Sequence, residues 1–293
     1  MARVETRTDG LDWLSELGNT IMADISAKDV MALRNRTGLG MMECKKALVE
    51  SEGDVEKAED LMRMRYKGKM EKRSDRAAGE GRIAVKVSGD GSAAAIVELK
   101  AETDFTAKNE NFIACADMCA DEVLAADSFG PVSATTKMEE SIDKIRAQTG
   151  ENISLGRAEK IDGSGVNFGS YVHHDGKTGV LLVVEGDLAD DVARQICMHV
   201  TANVPRPAGV TPDDVPDEVV QKERKFRIDQ AMESGKPQEI AEKMVEGGMK
   251  KFFAEVALNE QKFIVDPSKT VKEVAGDATI KNFYRWEVGE GEG

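Results

Sequence analysis

The stretch Glu102-Thr103-Asp104-Phe105-Thr106-Ala107-Lys108-Asn109-Glu110-Asn111-Phe112 sets an aromatic ring beside a carboxylate where a short apolar strand gives way to a helix. Aromatic residues make up only 5% of the chain, so such a pair at a corner stands out from the background. Two readings are open. A ring and a carboxylate on a rigid corner could enter a partner's pocket and disturb its charges. Alternatively, Phe105 packs under the following helix and Asp104 caps its N-terminus.

Other residues that could do chemistry form no catalytic set. The histidines are His173, His174 and His199, and no Ser or Cys nucleophile lies in a recognisable turn to pair with them. Cys115 and Cys119 fall on one helix face, yet no second Cys/His pair completes a zinc site. With Cys44 and Cys197 they read as small buried hydrophobes in a reducing compartment. Gly163-Ser164-Gly165 lacks the downstream spacing and the lysine of a phosphate cradle. Carboxylates are plentiful, but an acidic surface accounts for them without acid–base roles. No metal or cofactor is expected, and a protein that contacts other proteins is favoured over an enzyme.

The elements that must position these residues are read from 293 positions, 41% of them hydrophobic, enough for a core in two or three units. A formal net charge of −14 repels phosphates, which argues against direct nucleic-acid binding. No apolar run is long enough to span a bilayer. Residues 1–22 carry Asp9, Asp12 and Glu16 and resemble neither a secretion signal nor a transit peptide, so a cytoplasmic protein is expected. They read as an extension, with Met22 a second natural start.

From Ser26 the signals sharpen. Ser26 with Asp29 resembles a capping box, Val30 and Leu33 share a face, and Gly38 stops the helix. Gly40 opens a second helix over 41–51. Asp54 caps a third, with Val55, Ala58, Leu61 and Met62 on one side, and Tyr66 to Arg76 reads as a linker. Next come a hairpin, Arg82 to Val87 and Ala93 to Lys100 around Gly89-Asp90-Gly91, and a helix over 106–126. A further helix is expected over 138–148. A third unit repeats the recipe, with strands near 153–161, 170–173 and 179–185 before a helix over 189–202. Pro205, Pro207, Pro212 and Pro216 mark a boundary. Charged helices over 217–233 and 238–257, divided by Ser234-Gly235-Lys236-Pro237, then form an antiparallel hairpin of coiled-coil type. Phe263-Ile264-Val265 and Ile280 to Val288 read as strands returning to the last sheet.

Two segments resemble one family closely. Thr37-Gly38-Leu39-Gly40-Met41-Met42-Glu43-Cys44-Lys45-Lys46-Ala47-Leu48 is similar to the N-terminal signature of bacterial translation elongation factor Ts. Residues 102–109 resemble its second signature, with Thr106 where valine is common. Gly150-Glu151-Asn152-Ile153, Met198-His199-Val200 and the run Ser234 to Gly247 match as well. The resemblance implies an α+β protein: a ubiquitin-associated-like three-helix domain, then two core subdomains with antiparallel sheets and an inserted helical hairpin. The boundaries expected are 1–22 for the extension, 23–76 for the three-helix domain and 77–160 for the first subdomain. The second covers 161–212 and 258–293, and the hairpin covers 213–257.

The resemblance also implies a partner, elongation factor Tu, and an activity, guanine nucleotide exchange without covalent chemistry. In the family an Asp-Phe pair enters between helices of the GTPase domain near Mg²⁺ and phosphate. Carried over, Phe105 is the wedge, Asp104 positions the pair and perturbs the shell around the metal, and Thr103 beside them is a further partner-binding residue. Met41 and Met42 present a flexible apolar knob with Lys45 and Arg34 nearby, although the default reading of a methionine is core. Thr149, Gly150, His173 (or its neighbour His174) and Ile264 line up with further contact positions. A homodimer, or two copies with two of Tu, is compatible with this. Many members continue past Gly-Glu-Gly with a helix that grips Tu, whereas the sequence here stops at Gly293. An alternative is a recruiting module that acts through the three-helix domain alone.

Overall fold

The computed structural model describes residues 25–71, 73, 76–233, 235 and 238–290; the expected extension and the start at Met22 lie outside them. The described residues divide into two compact units. One takes in the described residues up to 73 together with Asp143–Glu151; the other is Arg76–Ile142 with Asn152 onward.

The first unit is built from α1 (Ala27–Thr37), α2 (Met41–Glu50) and α3 (Val55–Glu71). Ser26 caps α1 reciprocally: its hydroxyl oxygen accepts from the Asp29 amide at 3.1 Å, and it donates to the Asp29 carboxylate at 2.7 Å. Gly38 closes the helix at φ 70°, a left-handed conformation that a Cβ would strain. Asp54 caps α3 by accepting from the amides of Glu56 and Lys57, each at 3.1 Å. Val30, Leu33, Leu39, Cys44, Leu48 and Met62 form the core, with Ala147 packed against it. The segment read as a linker from Tyr66 is helical as far as Glu71, because Gly68 lowers helix propensity without ending it.

The second unit contains β1 (Glu80–Val87), β2 (Ala93–Ala101), α4 (Asp104–Ala107), α5 (Glu110–Leu124), β3 (Gly130–Pro131), α6 (Thr136–Thr149, whose last residues belong to the first unit) and β4 (Ser154–Asp162). It continues with β5 (Asn167–Val172), β6 (Thr178–Glu185), α7 (Asp190–Ala202), α8 (Asp217–Glu233), α9 (Gln238–Val256), α10 (Val271–Ala275) and β7 (Thr279–Glu287). Two antiparallel sheets result, ordered β1-β2-β4-β3 and β5-β6-β7.

Side-chain alternation makes four layers of these elements. Val180, Leu182 and Val184 face Ile196, Cys197 and Val200 of α7. Leu181 and Val183 meet Ile83, Ala94, Ile96 and Ile161 of the other sheet. On that sheet's outer face lies α5, burying Phe112, Cys115, Ala116, Cys119 and Val123. β2 and β6 are covered on both faces, which explains their apolar runs Ala93–Val97 and Gly179–Val184. The hairpin α8–α9 packs Val215, Val220 and Ile228 on Val245, Met249 and Phe252, and Arg224 pairs with Glu246 across it. A buried carboxylate fastens the last strand to the second: Glu98 of β2 accepts from Arg157 Nε at 2.7 Å and from the Gly289 amide at 2.8 Å.

Three further expectations need correction. The apolar triplet Phe263-Ile264-Val265 is no strand; it bends within a loop closed by a bridge between Lys262 and Thr270. The strand expected near 153–161 in the third unit is β4, and it pairs with β2, from Ala93 against Asp162 to Lys100 against Ser154. The helix expected over 106–126 is broken at Lys108-Asn109 into α4 and α5, because Asn109 starts a new cap. All four cysteines are free and buried, as small hydrophobes should be.

Candidate functional site

Residues 102–108 form a braced corner. Glu102, just past β2, accepts from the Asn152 amide at 2.6 Å and pairs with Arg76 at 3.3 Å; Asn152 in turn donates to the Arg76 carbonyl at 2.8 Å. Thr103, rather than Asp104, is the N-cap of α4, its hydroxyl accepting from the Thr106 amide at 3.3 Å. Asp104 is therefore the first helical residue. Its carboxylate accepts from Lys108 Nζ at 2.7 Å, one turn on. That ammonium, helped by Lys177, holds the Asp104 carboxyl below the usual carboxylate range. Phe105 is 85% exposed, which rules out packing beneath the helix.

The β5–β6 turn reaches the same corner. Lys177 is held between Glu80, at 2.6 Å, and the field of Asp104, and Glu80 above all keeps its ammonium charged to higher pH. The Ile83 amide donates to the Gly176 carbonyl at 2.8 Å, which ties the turn to β1. Gly176 is required there: its φ is 76°, and a Cβ would strike the Arg82 guanidinium. His173 is half-buried, with Nδ1 3.1 Å from the Tyr171 hydroxyl, while His174 is exposed and meets it edge-on at 4.3 Å. Lys177 and Glu80 were not singled out from sequence. Only the cation directly after the His174-Asp175-Gly176 turn hinted at them, since tertiary packing brings them to Asp104.

In the first unit, Met41 and Met42 open α2, and Met42 is 78% exposed; the core reading of these methionines fails. Arg34 of α1 and Lys45 of α2 are also exposed. Thr149 and Gly150 end α6, with the Thr149 hydroxyl donating to the Ile145 carbonyl at 2.9 Å. Gly150 has φ 72°, and its carbonyl accepts from Arg73. Both line a shallow cavity of about 250 Å³ with Gly38, Leu39 and Gly40, immediately before Met41, and with Glu43. Ile264 is 46% exposed in the loop after Phe263. Among the described residues, no group of His, Cys, Asp or Glu is placed to hold a metal, and no helix is long and apolar enough to cross a membrane.

The described residues thus form an α+β protein with two antiparallel sheets and flanking helices, and they hold Phe105, Met42 and Ile264 out in solvent. A family model described as Elongation factor TS matches residues 102–290. Proteins named Elongation factor Ts are similar over nearly the whole chain. The one from Photorhabdus laumondii is 44% identical over 272 residues, 92% of this chain and 94% of the relative. Those from Photobacterium profundum and Pasteurella multocida are each 47% identical, over 92% of this chain and 93% and 94% of the relatives. The chain belongs to the elongation factor Ts family, and its place is in translation elongation.

Proposed function

We infer that the chain is the guanine nucleotide exchange factor for elongation factor Tu in the cytoplasm, and that Asp104 and Phe105 are the pair that enters near the GTPase's Mg²⁺ and phosphate site. The observation that carries this reading is Phe105: a ring left almost wholly in water on a corner braced by Glu102, Thr103 and Lys108. Leaving a benzyl group in water forgoes about 1.5–3 kcal/mol of burial, which binding recovers when the ring enters a partner.

Exchange needs no bond-making by this chain. Its binding and that of GDP with Mg²⁺ must oppose each other, and that coupling is reciprocal. A roughly ten-thousand-fold weakening of nucleotide corresponds to about 5.5 kcal/mol, more than one ring supplies. Met41, Met42, Arg34 and Lys45 of the first unit, Thr149 and Gly150 beside them, and His173 and Ile264 of the second are the proposed further contacts. Asp104 contributes a charge that stays ionised, delivered by a helix start instead of a flexible loop.

Stimulated release of labelled GDP from Tu tests the proposal. Asp104→Ala/Phe105→Ala should abolish stimulation while leaving stability within about 0.5 kcal/mol of the parent, since both side chains are solvent-facing. Unchanged release in that variant would sink the wedge.

A further inference from the structure

Met198-His199-Val200 matches the family, yet the exchange reading gives its histidine no task. The His199 ring is fully buried near the end of α7, beside the Phe263 ring with centroids 5.9 Å apart. Both its nitrogens are engaged. The Ile264 amide donates to Nδ1 at 3.1 Å, which fixes that nitrogen as an acceptor and places the proton on Nε2. Nε2 then donates to the Gln261 carbonyl oxygen at 2.9 Å. The Gln261 amide nitrogen donates in turn to the carbonyls of Glu255 at 2.6 Å and Pro205 at 3.1 Å. A connected chain of hydrogen bonds thus runs from the end of α9, through a buried histidine, to the main chain of Ile264.

Ile264 and its neighbour Val265 are 46% and 58% exposed. Their loop does not need His199 in order to close. The Phe263 amide already donates to the Lys269 carbonyl at 2.9 Å, the Val271 amide to the Gln261 carbonyl at 3.0 Å, and Asp266 accepts from the Ser268 hydroxyl at 2.6 Å. What the imidazole adds is a fixed orientation at one residue, the first of two apolar side chains turned to solvent. A ring needed only to fill space would be served by an apolar side chain with no polar atoms to satisfy.

We propose that His199 and Gln261 are positioning residues for nucleotide exchange, fixing the main chain of Ile264 so that Ile264 and Val265 stand out as an apolar contact surface for the partner GTPase. This rests on the exchange reading. The surface is formed before the partner arrives, so binding spares the cost of ordering the loop.

Two substitutions separate the two nitrogens. In His199→Asn the side-chain oxygen takes the place of Nδ1 and keeps an acceptor for Ile264; in His199→Gln the terminal amide takes the place of Nε2 and keeps only the donor toward Gln261. Stimulated GDP release from Tu should show KM for Tu·GDP raised about tenfold in His199→Gln with kcat unchanged, and within about twofold of the parent in His199→Asn, as expected for loss or retention of one buried bond. Ile264→Ala, an exposed truncation, should raise KM similarly, and the double variant should be no worse than either single one. Equal effects of Asn and Gln, additive effects with Ile264→Ala, or a fall in kcat at constant KM would overturn the proposal. Hydrogen exchange in the unsubstituted protein is a check that needs no variant: the Ile264 amide should be protected, and a freely exchanging amide overturns the assignment. Phe105→Ala is the control for the underlying reading. If it keeps full stimulation, exchange by the wedge fails; if it loses stimulation while both His199 variants behave as the parent, only the positioning role fails.

Discussion

Asp104 shows how a single cation sets the state of a functional carboxylate. Lys108 lies one turn along α4 and donates to it at 2.7 Å, with Lys177 adding its charge from the neighbouring turn. Replacing Lys108 with Met should move the Asp104 titration upward toward the ordinary carboxylate range, read by NMR on the side-chain carboxyl. An unmoved titration would mean that Lys177 and the helix start suffice. The Asp-Phe pair was visible in the sequence as an oddity, but its neighbours alone left cap and wedge both open. The signature from Thr37 to Leu48 tipped the balance, and the exposed ring removes the packing alternative. Lys177 was not legible, because nothing local marks a residue more than seventy positions away as a neighbour of Asp104.

At the scale of elements, the break between α4 and α5 governs where Phe105 points. Asn109 accepts from the Asn111 amide at 2.9 Å and restarts the helix, so the four-residue α4 stands apart from the fifteen-residue α5. Asn109→Ala should cost about 1 kcal/mol, seen as a lower denaturant midpoint with an unchanged slope. Sequence reasoning ran one helix through this point because the apolar spacing from Phe112 onward gives no sign of where a helix begins. Elements with strong local punctuation were read well: α1 between Ser26 and Gly38, the turn at Gly89-Asp90-Gly91, and α8 over Asp217–Glu233. Phe263-Ile264-Val265 was misread because a short apolar run has no period to separate strand from loop. Its backbone amide at Ile264 is spent on an imidazole instead of a ladder. The pairing of β4 with β2 is a matter of topology, and composition carries no trace of it.

For the whole molecule, the buried neutral histidine links fold to acidity. Burial lowers the affinity of His199 for a proton, partly offset by its bond to Gln261, and no ion pair reaches it among the described residues. The unfolded chain, with an ordinary histidine value of about 6.5, binds that proton more readily. Its contribution to stability is therefore complete above that value and is lost as pH falls below it toward the folded value. Thermal midpoints should drop on acidification through this window in the parent and drop less in His199→Asn; equal slopes would assign the acid sensitivity to other groups. Glu98 raises a question of time instead of energy. Its partners Arg157 and Gly289 lie 59 and 191 positions further along the chain. A ribosome-bound chain that has passed Arg157 but not Gly289 holds a half-satisfied carboxylate in its central strand and has no β7 to cover β6. The four-layer unit is thus closed only once β7 and Gly289 are available, so its folding waits on contacts very far apart in the chain.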